Sequence, residues 1–125
     1  MLQILLIAIG GAFGSVSRYL ASTHIHLWLP RNFPYGTLIV NITGSLIMGF
    51  LFTFLLNRFD GVGDYLRSLL LIGFLGGYTT FSSFSIETIN LLENGDILAG
   101  LMNAILSVVL CLLFTWVGVL IGRQV

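Results

Sequence analysis

The sequence contains no lysine, few charged residues of any kind and a single cysteine. Charged residues make up 8% of the 125 positions and apolar residues 57%, whereas a soluble domain carries about 25% charged residues. Five arginines balance five acidic residues, so no basic face is available for nucleic acid. Cys111, being alone, excludes a disulfide within the chain and offers no metal-binding spacing. The composition predicts an integral membrane protein of one domain and excludes a water-exposed globular surface.

Long uncharged runs are present instead, and each can supply the roughly 20 apolar residues that a spanning helix needs. They predict an all-α membrane protein, a single four-helix transmembrane domain over residues 1–125. The predicted helices lie near residues 2–23, 34–57, 66–92 and 97–122. Asp60-Gly61 and Asn94-Gly95 mark two of the short connections as turns. Continuous apolar runs argue against a β-barrel, and the hydrophobic spans that follow the N-terminal run argue against a cleaved signal peptide.

The arginines are almost evenly divided between the two sides of a four-span topology. The side that holds both termini carries Arg58, Arg67 and Arg123, and the other side carries Arg18 and Arg31. The positive-inside rule therefore gives almost no bias. Two interpretations stay open, a weak signal in a small protein or a chain that inserts both ways as an antiparallel homodimer. Four short helices enclose little interior, so a polar pathway would need a partner subunit.

Small residues recur at four-residue spacing, a pattern that lets helix backbones approach closely in lipid. Examples are Gly10/Gly14, Gly73/Gly77 and Gly118/Gly122. The pattern predicts tight helix packing and says little about chemistry.

Two polar clusters interrupt the first two spans. GGAFGSVSRY (10–19) places Arg18 near a helix end, and YGTLIVNITGS (35–45) places Asn41 within a span. Arg18 is either a structural anchor or a ligand, and Asn41 is either a hydrogen-bonding link between helices or part of a site. Charged groups inside a span are functional-site candidates.

A third cluster, GGYTTFSSFSIE (76–87), predicts a break in the third helix. Gly76-Gly77 has poor helix propensity, and Thr79 or Thr80 can cap a helix that restarts near Thr80. Non-helical backbone at membrane depth is tolerated where it is buried in protein or lines a polar cavity. Such a break frees carbonyls that can hold a small cation and amides that can face an anion.

Polar side chains align on the helices that follow this break. Thr80, Ser83 and Glu87 share one helix face, with Phe81 and Phe84 beside it. The fourth helix adds a polar stripe of Asn103, Ser107, Cys111 and Thr115. Hydrogen bonding between helices is the simpler interpretation. The number and alignment of these groups favour a donor-lined path for a small solute.

GGAFGSVSRY, YGTLIVNITGS and GFLGGYTTFSSFSIE (73–87) together resemble the Fluc family of fluoride channels, also called CrcB proteins. The resemblance extends over the whole chain in length and in number of spans. It implies a homodimer of inverted subunits with two pores, through which fluoride leaves the cytoplasm passively across the inner membrane. The near-absence of arginine bias agrees with that arrangement.

The resemblance also implies roles for individual residues. Asn41 would be the pore-lining amide, with Phe81 and Phe84 as the aromatic pair beside the fluoride sites. The polar track would be formed by Thr80, Ser83, Ser107, Thr115 and Glu87. Arg18 would lie near the pore vestibule. Gly76 and Thr79 would offer backbone carbonyls to a structural sodium ion at the dimer centre.

Three other classes of protein fit the sequence less well than a fluoride channel does. A dual-topology small multidrug or cation transporter needs a carboxylate in its first helix, where this chain has Arg18 and no acid. A non-transporting assembly subunit would explain the small-residue spacing but not the aligned polar side chains. An enzyme is not expected, because no nucleophile–base pair or metal set accompanies His24 and His26.

Overall fold

The computed structural model describes residues 1–59 and 62–125, and of residues 56 and 57 the backbone alone. The described residues form helices and no strands, with four spans long and apolar enough to cross a membrane. We label them α1 (Leu2–Trp28), α2 (Tyr35–Arg58), α3 (residues 63–78), α4 (Phe81–Glu93) and α5 (Ile97–Gln124). Helices α3 and α4 together make the third span, Gly63–Glu93. The predicted all-helical, four-span fold is confirmed for this part of the chain.

The helix ends differ from the predicted ones by a few residues. Helix α1 continues to Trp28, beyond the predicted end near residue 23, and the third span begins at Gly63. The predicted turn at Asn94-Gly95 is present, and Gly95 adopts a left-handed backbone with φ of 86°. The Gly95 amide donates to the Leu92 carbonyl and the Asp96 amide to the Leu91 carbonyl, the paired bonds of a Schellman cap. The predicted turn at Asp60-Gly61 lies outside the described residues.

Glycines bring helix backbones into direct contact at two interfaces. A Cβ on Gly10 would overlap the Leu69 carbonyl, and one on Gly77 would lie 2.6 Å from the Gly11 carbonyl oxygen, so α1 and α3 leave no room for side chains there. A Cβ on Gly118 would overlap the Leu46 carbonyl, which shows the same close packing between α5 and α2. The predicted packing role of the small-residue pairs is confirmed at these positions.

The buried apolar core is small, and most large apolar side chains face outward. Leu55, Leu71 and Leu75 form the buried cluster between α2 and α3. Exposed apolar side chains cover all four spans, including Phe13 on α1 and Trp116 on α5. In water such a surface would drive aggregation, whereas in a bilayer it is the surface that lipid or a partner subunit covers.

The third span is interrupted within the stretch 76–80, where a break is predicted. Residues Arg67–Leu75 are π-helical, and Gly76–Tyr78 form a further helical turn. The extended residues are Thr79 (φ −82°, ψ 157°) and Thr80 (φ −152°, ψ 120°). The break thus lies at the Thr79-Thr80 end of the predicted stretch 76–80, and Gly77 stays helical in close contact with α1. The restart is as predicted, since Thr80 is the N-cap of α4.

Candidate functional site

Asn41, in the second turn of α2, pairs with the backbone of Thr80 at the break. The side-chain Nδ2 donates to the Thr80 carbonyl and the Thr80 amide donates to Oδ1, both at 2.8 Å. One side chain thereby satisfies both backbone groups of an extended residue, which at membrane depth would otherwise be costly to leave without partners. A carboxamide has two N–H donors, so one N–H remains after the bond to Thr80.

The pairing of Asn41 with Thr80 leaves the Gly76 carbonyl without its usual helical hydrogen-bond donor. In a continuous α-helix the Thr80 amide would donate to the Gly76 carbonyl, but here it donates to Asn41. The Thr79 carbonyl accepts a hydrogen bond from Arg18 Nη1 at 3.3 Å. A carbonyl oxygen has two lone pairs, so Thr79 keeps one. Gly76 and Thr79 thus present two neutral, hard oxygen donors at the break, which is the donor chemistry that sodium requires.

The Thr80 side chain stabilises the start of α4. Its Oγ1 accepts from the Ser83 amide at 3.2 Å and donates to Ser83 Oγ at 3.1 Å. Such an N-cap contributes about 1 kcal/mol to helix stability. Thr80 is buried, and the cap fixes the direction in which the next two turns point their side chains.

Seven of the predicted site residues meet in one cavity of about 390 Å³. We call it the aromatic cavity; it lies between the break, α2, α4 and α5, and its walls are mostly apolar. The predicted residues that line it, besides the threonines of the break, are Asn41, Phe81, Phe84, Ser107 and Thr115. The two phenylalanine rings lie 5.2 Å apart between centroids, tilted by 53°. Phe81 is 77% exposed in the single chain.

Three other predicted residues, Arg18, Ser83 and Glu87, line a second cavity of about 370 Å³ between α1, α2 and α4. We call it the arginine cavity. Thr37 Oγ1 donates to Glu87 Oε1 at 2.8 Å across it. Thr37 is not among the predicted site residues, although it precedes Asn41 by four residues and so lies on the same face of α2.

The predicted polar track is therefore divided within one chain. Ser83 and Glu87 face the arginine cavity, while Phe81 and Phe84 face the aromatic cavity. Thr80 borders both cavities. The break is therefore the place where the two cavities adjoin.

The polar stripe of α5 serves two purposes. Asn103 is 2% exposed and donates to Thr88 Oγ1 at 2.9 Å, so it links α5 to α4 away from both cavities. Ser107, Cys111 and Thr115 line the aromatic cavity. Thr115 Oγ1 donates to the Cys111 carbonyl at 2.8 Å, so its hydroxyl proton is used within the helix.

Almost the whole chain is similar to known proteins. Residues 5–119 match the family described as CrcB-like protein, Camphor Resistance (CrcB). A Coxiella burnetii protein named fluoride-specific ion channel FluC is 58% identical over 123 residues, covering 98% of this chain and 99% of the relative. A relative of the same name from Magnetococcus marinus is 46% identical over 124 residues, covering 99% of this chain and 100% of the relative.

A Methylococcus capsulatus protein, also named fluoride-specific ion channel FluC, is 47% identical over 123 residues. The alignment covers 98% of this chain and 54% of that longer relative. Both the family match and the full-length relatives extend over all four spans. The chain therefore belongs to the CrcB family, and it is a multi-pass membrane protein, which in a bacterium lies in the inner membrane.

Proposed function

We propose that this chain is a fluoride-selective passive channel through which fluoride leaves the cytoplasm, and that it is not an enzyme. The observation that carries the proposal is the position of Thr80, which borders both cavities at the helix break. Polar groups from α2, α4 and α5 thus approach the break from both sides. The names of its relatives, fluoride-specific ion channels, indicate the ion.

The chemistry of the lining suits a small, strongly hydrated anion. A channel must replace the water around fluoride with hydrogen-bond donors, and it must hold the ion weakly enough to release it. Asn41, Ser83 and Ser107 each carry such a donor on a neutral side chain. The edges of the Phe81 and Phe84 rings carry partial positive charge. They add attraction at a position that cannot be protonated.

The driving force requires no coupling to another ion. Hydrogen fluoride crosses lipid as the neutral acid and dissociates at cytoplasmic pH. An inside-negative membrane potential favours anion exit by about 2.3 kcal/mol per charge per 100 mV. A passive pore is sufficient to lower cytoplasmic fluoride and so to relieve its toxicity.

The working unit in this proposal is an antiparallel homodimer. The aromatic cavity is open on one side, and Phe81 at its rim is largely exposed in the single chain. A second copy can cover these surfaces, since four helices enclose too little interior for a sealed pathway. The balanced arginines permit the inverted insertion that such a pair requires.

A structural sodium ion at the dimer centre is part of the same proposal. The carbonyls of Gly76 and Thr79 would hold it, one pair from each chain. The described residues contain no cluster of three His, Cys, Asp or Glu side chains that could bind a metal, so backbone oxygens are the suitable ligands. The ion would neutralise carbonyl dipoles that face each other across the two-fold axis.

Reconstituted protein provides the test. Liposomes loaded with fluoride or with chloride should release fluoride rapidly and retain chloride when the potential is set by valinomycin, as followed by ion-selective electrodes. Transport that needs a proton gradient and a bulky cation would instead support the small multidrug transporter. Loss of both halides at the same rate would contradict selectivity.

A further inference from the structure

A third cavity, of about 550 Å³, lies where α1 ends and α4 meets α5. We call it the end cavity. Its polar lining includes His26, Arg31, Glu87, Asn90, Asn94 and Asp96. Glu87 also lines the arginine cavity, so the two cavities share this carboxylate. The end cavity is thus placed as an approach to the proposed ion path from one membrane face.

Two buried polar atoms in this region have no hydrogen-bond partner among the described residues. They are His26 Nδ1 and Glu87 Oε2. Thr37 satisfies the other Glu87 oxygen, and His26 and Glu87 line the same cavity. Buried polar groups are almost always satisfied by protein, water or an ion, so an unpartnered atom on each of two side chains that line the end cavity indicates a place for a mobile species.

The local packing holds His26 at this position. A Cβ on Gly36 would overlap Ser22 Oγ and would lie 3.0 Å from His26 Nε2. The absence of a side chain at Gly36 therefore lets the imidazole lie against the first turn of α2. His24, two residues earlier on α1, is exposed and does not line the end cavity.

We propose that His26 is a further residue of the ion path, located at its entrance. In its protonated form the imidazolium donates an N–H to the arriving anion and offsets the charge of Glu87. In its neutral form it offers a weaker donor and no charge. This inference rests on the proposed function, because it assumes that the transported ion is an anion.

The charges that face His26 determine the sign of the effect. The end cavity contains Arg31 from the α1–α2 connection, Glu87 from α4 and Asp96 from the turn before α5. Helix α2 contributes Thr37 beside Glu87, which does not titrate. Arg18 and Tyr19 on α1 line the adjoining arginine cavity. With Arg31 positively charged and both Glu87 and Asp96 negatively charged, the end cavity carries one net negative charge when His26 is neutral and none when His26 is protonated.

Histidine changes its charge between about pH 5 and pH 8. A unit charge a few ångströms from an ion in a partly wet site changes the energy of the ion enough to alter a transport rate severalfold. Salt screens this interaction and so reduces the change in rate. We expect fluoride efflux to be about three- to tenfold faster near pH 5.5 than near pH 8.

The experiment measures the initial rate of fluoride efflux from liposomes with equal pH on both sides, after subtraction of the rate from protein-free liposomes. His26→Gln should flatten the pH profile at the slow rate. His26→Arg, which keeps a positive charge, should flatten it at the fast rate. His24→Gln should retain the wild-type profile.

A flat wild-type profile, or a wild-type slope in His26→Gln, would overturn the inference and leave the channel intact. A slope that disappears in His24→Gln would also overturn it, because the exposed histidine would then be responsible. If His26→Gln does not elute as the wild-type protein, His26→Arg decides alone. Wild-type protein that passes no fluoride at any pH would refute the proposed function, and this inference with it.

Discussion

Asn41 and Thr80 exchange two hydrogen bonds of 2.8 Å across 39 positions of sequence. The carboxamide replaces the backbone partners that the break in the third span removes. Asn41 also lines the aromatic cavity. The same side chain therefore holds the break together, and in the proposed channel its second N–H would donate to the ion.

Asn41→Asp should abolish most fluoride efflux. The carboxylate loses the donor to the Thr80 carbonyl and places negative charge on an anion path. An unsatisfied buried group costs about 1–3 kcal/mol, so the thermal unfolding midpoint in detergent should also fall. Thr53→Val is the matched control on α2, since Thr53 bonds only to the Gly49 carbonyl one turn away among the described residues. Normal efflux through Asn41→Asp would mean that the residue serves packing alone.

Replacing the aromatic pair should separate transport from folding. Phe81→Ile and Phe84→Ile keep apolar bulk but remove the ring edge, so we expect a strong loss of fluoride flux with an unchanged elution volume in gel filtration. Phe13→Ile is the control, because Phe13 is 67% exposed on α1 and lines none of the three cavities described above. If both ring variants transport normally, the pair belongs to the packing and the proposed track is incorrect.

Cys111 provides a chemical test of the aromatic cavity. It lines that cavity beside Ser107 and Thr115 and is the sole cysteine of the chain. A small methanethiosulfonate reagent should attach to the thiol, fill part of the cavity and block most of the flux. Cys111→Ser should transport fluoride and resist the reagent. Complete labelling, verified by mass spectrometry, with undiminished efflux would place the ion path elsewhere.

Inverted insertion predicts that a C-terminal tag is accessible from both faces of the membrane. The reason is the near balance of arginines on the two sides. Several arginines added at the C-terminus should hold the termini on the cytoplasmic side and reduce both the dimer and the flux. Full activity with the tag on one face would contradict the antiparallel dimer.

Removal of sodium should weaken the dimer if Gly76 and Thr79 hold the ion between two chains. Exchange of sodium for N-methylglucamine should lower the dimer fraction in gel filtration and the rate of efflux, and restored sodium should reverse both changes. Exchange of sodium for lithium or potassium tests how the dimer fraction and the efflux rate depend on the size of the ion. A dimer and a flux that do not respond to sodium would remove the ion from the proposal.

The sequence by itself determined the number of spans, the turn at Gly95 and the cap at Thr80. Each depends on local chemistry: an apolar run long enough for lipid, a glycine that accepts positive φ, and a hydroxyl that reaches the Ser83 amide. Most of the predicted site residues also line the cavities, because polar side chains inside spans have few other places to lie.

Only the tertiary structure decided where the third span breaks and how the site is divided. Gly77 stays helical because its missing side chain is needed against Gly11 of α1, and the break moves to Thr80 because Asn41 of α2 can satisfy it. Similarly, Ser83 faces Arg18 and Phe81 faces α5 because of the helices that pack on either side of α4. These contacts join residues far apart in the chain, so periodicity and propensity, which act over a few residues, carry no information about them.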